Sequence, residues 1–231
     1  NPIPRLLDKN YAAKIRAAIN PSKAGVSKDI KPGVEPHEGS NTTHYSIVDK
    51  AGNAVSVTYT LNDWFGAKVT VPGTGVLLNN EMDDFTVKIG VPNMYGLVQG
   101  EANAIAPGKR PLSSMSPTIV SNAEGKPVMV VGTPGGSRII TAVLHSIINV
   151  IDYGMNVQEA VDAPRFHQQW LPDLTNVETF ALSPDTAKLL TDMGHKLGAP
   201  QPANHMAAIL VGAPALNGKP VGNNRFYGAN D

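Results

Sequence analysis

The stretch Asn41-Thr42-Thr43-His44-Tyr45-Ser46 marks a sharp change in the character of the chain. The residues before it, 31–41, are polar and contain two prolines and two glycines, which is typical of an exposed loop. The residues that follow, 45–48, begin a pattern typical of a β-strand. An exposed, flexible loop is where a chain can be cut without steric hindrance. We interpret this boundary as a cleavage site between Asn41 and Thr42.

Cleavage before Thr42 would give this residue a free α-amine beside its own hydroxyl. A threonine hydroxyl is a poor nucleophile unless a base lies within hydrogen-bond reach. An α-amine titrates near neutrality, so it could accept the hydroxyl proton directly or through a water molecule. The alternative is that Thr42 and Thr43 merely open a strand, since threonine favours strands. For an isolated Thr-Thr pair the alternative is favoured, and the rest of the chain has to decide.

The composition excludes several classes of protein. Hydrophobic residues make up 42% of the 231 residues and charged residues 16%, so the chain can bury a sizeable core. Lys and Arg number 19, as do Asp and Glu, and this balance does not favour a nucleic acid or an anionic membrane as partner. The absence of cysteine excludes disulfides and thiolate chemistry. No apolar run reaches the length of a membrane span, and the histidines never take a metal-ligand spacing.

Two strands are predicted at residues 43–48 and 54–60, joined by a glycine-containing turn. The second strand alternates apolar with hydroxyl-bearing residues, which is the period expected of a strand with two unlike faces. A tight hairpin returns the end of the second strand to the start of the first. We therefore expect Thr60 and Asn62 to lie close to Thr42.

Residues 77–85 contain three carboxylates, Glu81, Asp83 and Asp84, between two apolar pairs. Like charges repel, so the spacing alone favours a solvated loop. The functional alternative is a site for a cationic ligand or a metal, although the alternating acids and central glycine of a helix–loop–helix calcium site are missing. Further along, Tyr95 lies in a predicted turn, where it could form a lid over a pocket or simply pack.

Two later segments carry candidate polar groups. Ser113 and Ser114 lack the Gly-x-Ser-x-Gly elbow and a nearby histidine, so they suit hydrogen bonding to a carboxylate better than nucleophilic attack. Residues 132–138, Gly-Thr-Pro-Gly-Gly-Ser-Arg, follow a predicted buried strand and precede a predicted helix. The N–H groups of Gly135 and Gly136 could form an oxyanion hole there, or the glycines could only shape the entry into the helix.

The remaining pattern predicts helices around residues 11–20, from about 138 to 151, at 157–163 and from 184 to about 193, and a strand at 207–211. In the second of these helices one apolar stripe is formed by Ile140, Val143, Leu144, Ile147, Ile148 and Ile151. The Gly- and Asn-rich tail up to Asp231 is expected to form a surface loop.

Taken in order, six segments resemble the small subunit of the γ-glutamyltranspeptidase family. They are residues 41–46, 58–62, 77–85, 110–118, 132–138 and 163–167. Residues 42–231 resemble that subunit, and residues 1–41 look like the end of the family's large subunit. The resemblance implies an N-terminal nucleophile hydrolase fold, an αββα sandwich built from both subunits, and a precursor that cuts itself. It implies no metal and no organic cofactor, and it makes the large subunit the required partner.

The resemblance also implies roles for matching residues. Thr42 would attack first the carbonyl of Asn41 and later the γ-glutamyl carbonyl, and Thr60 would position Thr42. The N–H groups of Gly135 and Gly136 would stabilise the oxyanion. A second set would hold the substrate: Asn62, Glu81 and Asp84 at its α-ammonium, Ser113 and Ser114 at its α-carboxylate, and Tyr95 over the pocket. Activity on γ-glutamyl compounds such as glutathione is therefore expected, with water or an amino acid as acceptor.

Several alternatives remain at this point. A related acylase of the same fold removes glutaryl-type side chains from β-lactams, but such a substrate has no α-amine for Glu81 and Asp84 to bind. An uncut, inactive precursor is a second alternative. The chain by itself is expected to lack the family's large-subunit arginine and half of the sandwich. Trp64, at a position where the family varies, could narrow the acceptor side and favour hydrolysis over transfer, or could only pack. Because the family is usually exported, a periplasmic or extracellular location is expected.

Overall fold

The computed structural model describes residues 3–30, 42–200, 204–212, 215–216, 219–220 and 225–231. The helices in these ranges are α1 (Ile3–Leu6), α2 (Lys9–Ala17), α3 (Ile139–Ile151), α4 (Val157–Asp162) and α5 (Pro184–Asp192). The strands are β1 (Thr42–Val48), β2 (Ala54–Thr60), β3 (Thr118–Ser121), β4 (Pro127–Gly132), β5 (Phe166–His167), β6 (Asn176–Val177), β7 (Ala207–Val211), β8 (Ala215–Leu216), β9 (Lys219–Pro220) and β10 (Phe226–Asn230). The predicted hairpin, helices and strand at 207–211 are confirmed, with α2 ending earlier than expected.

A four-stranded antiparallel sheet with strand order β10-β7-β4-β3 lies at the centre of the molecule. Met129 and Val131 of β4 join the buried cluster formed with α3, α4 and β7. Val130 points to the opposite face by strand alternation, and it is also completely buried. That opposite face is covered by the β1–β2 hairpin. The described residues thus form hairpin, sheet and helix layers, which are three layers of the expected αββα sandwich.

The hairpin sits on β4 at a point where only a glycine fits. The imidazole of His44 lies over Gly132, and a Cβ on Gly132 would stand 2.2 Å from the His44 Cε1 atom. Two hydroxyls fix the imidazole, Thr58 Oγ1 at 2.8 Å from Nδ1 and Ser46 Oγ at 3.1 Å from Nε2. Burial lowers the pKa of His44, which favours the neutral ring in this contact. The close approach fixes where β1, and with it Thr42, lies on the sheet.

The apolar stripe predicted for α3 does not coincide with its buried face. The helix buries Ile139, Ala142, Val143 and Ser146. Ile140, Leu144 and Ile151 of the predicted stripe are more than half exposed. Because α3 is apolar around most of its circumference, its periodicity could not select one face. The face that packs combines the small side chains of Ala142 and Ser146 with Ile139 and Val143.

The expectation of a surface loop at the C terminus is wrong. Residues 226–230 form β10, which pairs with β7 in an antiparallel register from Phe226 opposite Val211 to Asn230 opposite Ala207. Asp231 anchors the end of this strand, since its carboxylate accepts a hydrogen bond from Met206 N and pairs with Arg165, both at 2.5 Å. This strand depends on partners that lie far away in the sequence, and the local Gly- and Asn-rich composition therefore gave the wrong prediction.

We expect Gly132→Ala to destabilise the protein. The added methyl group would overlap the His44 ring, and overpacking of this kind costs about 1–3 kcal/mol. Urea unfolding followed by circular dichroism should show a lower midpoint with an unchanged slope.

Gly228→Ala is the matched control, because Gly228 is also a strand glycine and its Cβ would meet no atom within 4 Å. Equal midpoints for the two variants would contradict the proposed close approach of His44 to β4.

Candidate active site

A cleft opens where the start of β1, the end of β2 and the turn before α3 converge. Its lining residues are Thr42, Thr60, Asn62, Asp84, Tyr95, Leu97, Gln99, Leu112, Ser113, Ser114, Met115, Gly136, Ser137 and Ile139. The structure thus brings together most of the residues that the sequence marked as functional, although they come from six separate segments. Glu81 and Gly135 are not among the lining residues, but each adjoins one, Glu81 through its interaction with Asp84 and Gly135 as the neighbour of Gly136 in the chain. Asn41 is outside the described residues.

Thr42 and Thr60 face each other across the hairpin. They are Cα partners in the antiparallel register of β1 and β2, as the tight turn predicted. Thr60 Oγ1 accepts a hydrogen bond of 2.9 Å from the backbone N–H of Asn62. This bond turns the chain after β2 and places Asn62 beside the threonine pair.

Asn62 is held rigidly at the base of the cleft. It is 2% exposed and adopts φ +77°, a left-handed conformation that asparagine tolerates better than most residues. Its side-chain amide donates to Asn80 O at 3.1 Å, and the Tyr95 hydroxyl donates to Asn62 O at 2.5 Å. Tyr95 itself is only 6% exposed, and burial raises the pKa of its phenol far above the ordinary value. Tyr95 is therefore a packed donor in the wall of the cleft, and its role over the pocket stays a prediction.

The three acids of residues 77–85 divide into one structural residue and one pair. Asp83 accepts a hydrogen bond of 2.9 Å from Met94 N and so supports the neighbouring turn. Glu81 and Asp84 hydrogen-bond to each other. Burial, followed by the charge of Asp84, raises the pKa of Glu81 to about 7, and burial also raises the pKa of Asp84.

The spacing of the acids alone favoured a solvated loop, but Glu81 and Asp84 are both partly buried. Two carboxyl groups that share a partly buried site cannot both ionise freely, so the pair retains a proton up to about pH 7. A cation in the cleft would relieve their repulsion and favour the fully ionised pair. The arrangement is therefore suited to bind an ammonium group next to Thr42.

The glycine turn closes the opposite side of the cleft. Gly135 has φ +134° and Gly136 has φ +56°, conformations that L side chains rarely adopt. Asn204 packs directly behind the turn, since a Cβ on Gly135 would stand 2.1 Å from its Nδ2 atom. The same Nδ2 atom donates to Pro134 O at 2.6 Å. The backbone conformation at both positions therefore requires glycine, and Gly136 is the one that lines the cleft.

Sequence reasoning missed a polar group behind this turn. Ser137 is 4% exposed, lines the cleft, and donates to Gln169 Oε1 at 2.6 Å. His167 lies 2.8 Å from the same oxygen through Nε2 and 2.8 Å from Thr141 Oγ1 through Nδ1. His167 is itself buried, at 6% exposure. No local spacing could have connected Ser137 with Gln169.

The remaining predicted residues differ in how closely they approach the cleft. Ser113 and Ser114 line it, and Ser113 Oγ accepts a hydrogen bond of 3.2 Å from Met115 N. Trp64 is 64% exposed and is not among the lining residues. Its suggested effect on the acceptor therefore stays a prediction.

Neither a metal site nor a membrane helix is found in the described ranges. No three side chains of the metal-binding types His, Asp and Glu cluster there. No described helix has both the length and the apolar character that crossing a bilayer would require.

Sequence comparison places these features in a known family. A family model described as gamma-glutamyltranspeptidase matches residues 1–228. The chain is 78% identical over 231 residues to a glutathione hydrolase proenzyme of Pseudomonas sp. (strain A14), covering 100% of this chain and 40% of that protein. It is 53% identical over 227 residues to the glutathione hydrolase proenzyme of Escherichia coli K12, covering 98% of this chain and 37% of that protein. The chain therefore spans about two fifths of the length of these relatives.

Solved structures agree with this result. A mutant of Helicobacter pylori gamma-glutamyltranspeptidase superposes with a TM-score of 0.75 at 53% identity, covering 82% of this chain and 98% of that one. A cephalosporin acylase from Bacillus halodurans has a TM-score of 0.72 at 26% identity, covering 97% of this chain and 39% of that one. The layered α and β architecture is that of the N-terminal nucleophile hydrolases. From the family model, the sequence identities and the superpositions together, we conclude that the chain belongs to the γ-glutamyltranspeptidase family.

Proposed function

We propose that the protein containing this chain is a γ-glutamyl hydrolase and transferase that acts on glutathione and related compounds. The observation that carries the proposal is the convergence of Thr42, Asp84 and Gly136 on one cleft, with Glu81 coupled to Asp84. The name glutathione hydrolase proenzyme, which is carried by relatives with 78% and 53% identity, supports it.

The reaction requires a nucleophile, an oxyanion site and a leaving amine. Thr42 Oγ attacks the γ-carbonyl carbon while its own α-amine takes the hydroxyl proton. The negative charge that develops on the carbonyl oxygen is stabilised by N–H groups of Gly135 and Gly136. Collapse of the intermediate breaks the C–N bond, and the amine leaves with the proton. Water then hydrolyses the ester on Thr42 to glutamate, or an amino acid attacks it and forms a new γ-glutamyl bond. In both halves Thr60, the Cα partner of Thr42, positions the nucleophile.

Further residues at the cleft suit the two charged groups on the α-carbon of the glutamyl group. Glu81 and Asp84, together with Asn62, bind the α-ammonium, and this role accounts for the pair of carboxyl groups in a partly buried position. Ser113 and Ser114 supply hydroxyls to the α-carboxylate. None of these steps requires a metal or an organic cofactor.

The same nucleophile would generate its own amine. Thr42 Oγ attacks the carbonyl of Asn41, the acyl group moves from nitrogen to oxygen, and water hydrolyses the resulting ester. The division into residues 1–41 and 42–231 is supported by the solved family members, which cover 82% of this chain, the share that remains when residues 1–41 are left out.

The large subunit is the proposed partner of residues 42–231. Exposed apolar side chains on the outer face of α3 (Ile140, Leu144, Ile151) suit a surface that is covered in the whole protein. The outer face of the hairpin likewise exposes Tyr45, Ile47, Val55 and Tyr59. Because members of the family are usually exported, we also propose a periplasmic or extracellular location.

A cephalosporin or glutaryl acylase is the second candidate, since an acylase shares the fold. A glutaryl side chain carries no α-ammonium, so the Glu81–Asp84 pair would have no ligand in a glutaryl acylase. The lower identity to the acylase, 26% against 53% for a γ-glutamyltranspeptidase, points in the same direction.

We expect Thr42→Ala to abolish chain cleavage and γ-glutamyl transfer together, because one hydroxyl serves both reactions. Intact mass spectrometry would report cleavage, and release of p-nitroaniline from γ-glutamyl-p-nitroanilide by the full-length protein would report activity. Thr43→Ala is the matched control, since Thr43 is the exposed neighbour in the same strand. Full cleavage of the Thr42→Ala protein would contradict the proposed nucleophile.

A second prediction concerns pH. The pKa of Glu81 is raised to about 7, so its ionised fraction increases as the pH rises through neutrality. An ammonium ligand binds the ionised form, and this fraction grows about tenfold between pH 6 and pH 8. We therefore expect the KM for γ-glutamyl-p-nitroanilide to fall with rising pH over this range, by up to about tenfold.

Glu81→Gln should raise KM at pH 8 and flatten this dependence, because glutamine cannot ionise. Glu101→Gln is the control, since Glu101 is exposed and does not line the cleft. An unchanged pH profile in Glu81→Gln would show that Glu81 does not bind the ammonium group.

A further inference from the structure

The segment before the proposed cleavage site contacts the rest of the molecule at one small area. Among the described side chains of residues 3–30, Ser27 is the only buried one, at 7% exposure. α2 buries no residue, and α1 is also exposed where its side chains are described. Contact with the later part of the chain is therefore concentrated around the short turn Ser27–Asp29.

Ser27 is hydrogen-bonded by a loop that lies well beyond the cleavage site. Its hydroxyl donates to Asp173 Oδ1 in a short bond, and its carbonyl accepts from the Trp170 indole N–H at 2.5 Å. Gln168 Nε2 donates to the same Asp173 oxygen at 3.4 Å. The Trp170 backbone has φ +77°, an unusual conformation for a residue other than glycine, and its N–H is bonded to Gln168 Oε1. Two side chains of this loop, those of Trp170 and Asp173, thus hydrogen-bond to the same serine.

A second contact lies three residues earlier. Ala24 N donates to Met193 O at 2.9 Å, just after α5, and Ala24 packs close to Gly194. Between the two contacts the segment closes one side of a largely apolar cavity of about 530 Å³. Leu174, Leu182 and Leu190 form part of the opposite side of this cavity. Removing residues 24–30 would therefore expose an apolar surface to water as well as break hydrogen bonds.

We propose that residues 24–30 remain bound to residues 42–231 after cleavage, held by a clasp formed by Ser27, Trp170 and Asp173. This proposal rests on the proposed cleavage between Asn41 and Thr42. Every contact of the clasp lies before residue 31 or after residue 167, so a cut after Asn41 removes none of them. The clasp thereby makes the end of the large subunit a fixed part of the interface instead of a free tail.

The chemistry of the clasp makes it selective for a hydroxyl at position 27. Asp173 is part-buried, and the Ser27 hydroxyl is its shortest hydrogen-bond donor. Loss of that donor would leave a partly desolvated carboxylate without its best partner, which is more costly than the loss of an exposed hydrogen bond.

Cross-linking gives a direct test, because residues 1–231 contain no cysteine of their own and any cysteine in the rest of the protein can be replaced by serine first. We would introduce Ser27→Cys with Asp173→Cys into the full-length protein, oxidise it, and compare denaturing gels with and without reductant. The expected result is that the two pieces made by cleavage migrate as one band without reductant and separate when reductant is added. The pair Ser22→Cys with Asp173→Cys is the control, because Ser22 is exposed and makes no contact with Asp173; this pair should leave the pieces separate.

The outcomes distinguish the clasp from cleavage itself. Separate pieces in both lanes for the 27–173 pair, or equal cross-linking by the 22–173 pair, would overturn the clasp while leaving cleavage intact. A single band in both lanes would count against cleavage. In that case the sequence at 33–39 would be replaced by the recognition site of a specific protease in a Thr42→Ala background. The nicked protein with the 27–173 pair should then stay linked until reductant is added, and separation without reductant would overturn the clasp.

Discussion

The close approach of the His44 ring to Gly132 is the contact on which the geometry of the site depends. It sets the position of the β1–β2 hairpin on the buried strand β4, and the hairpin register then places Thr42 opposite Thr60. This arrangement also positions the two turns that flank the cleft. The turn after β2 carries Asn62, and β4 leads directly into the glycine turn before α3. A single stacking contact between two sheets therefore brings the nucleophile and the oxyanion site to the same edge.

The partly buried carboxyl groups of Glu81 and Asp84 give the cleft a preference for a cationic ligand. Two carboxyl groups are kept half-buried beside a threonine, and their raised pKa values show that the site disfavours a second negative charge unless a cation is present. Structures built for stability alone would expose or neutralise such a pair. The neighbouring Tyr95 phenol stays protonated and fixes the Asn62 carbonyl, so the binding groups are oriented before a ligand arrives. This preorganisation is what recognition of an ammonium group next to a reacting carbonyl requires.

The sequence predicted those parts of the fold that depend on local signals. The hairpin, the capped helix α5 and the short α4 were found because turns, caps and prolines act over a few residues. The buried face of α3 and the strand β10 were not, because they depend on which surfaces meet in three dimensions. β10 needs β7 as a neighbour and Arg165 as a partner for Asp231, neither of which is near in the chain. The link from Ser137 to Gln169 was missed for the same reason, whereas the resemblance of six ordered segments to one family named several of the residues that line the cleft.

The central claim is that Thr42 becomes an N-terminal nucleophile by cleavage of the bond before it. The most direct measurement is the intact mass of the purified protein at neutral pH, combined with N-terminal sequencing of each species. The account predicts a fragment whose sequence begins Thr42-Thr43-His44, produced without any added protease. A single uncut species that nevertheless hydrolyses γ-glutamyl-p-nitroanilide would contradict it, because the hydroxyl of Thr42 would then be acting without the α-amine that is proposed as its base.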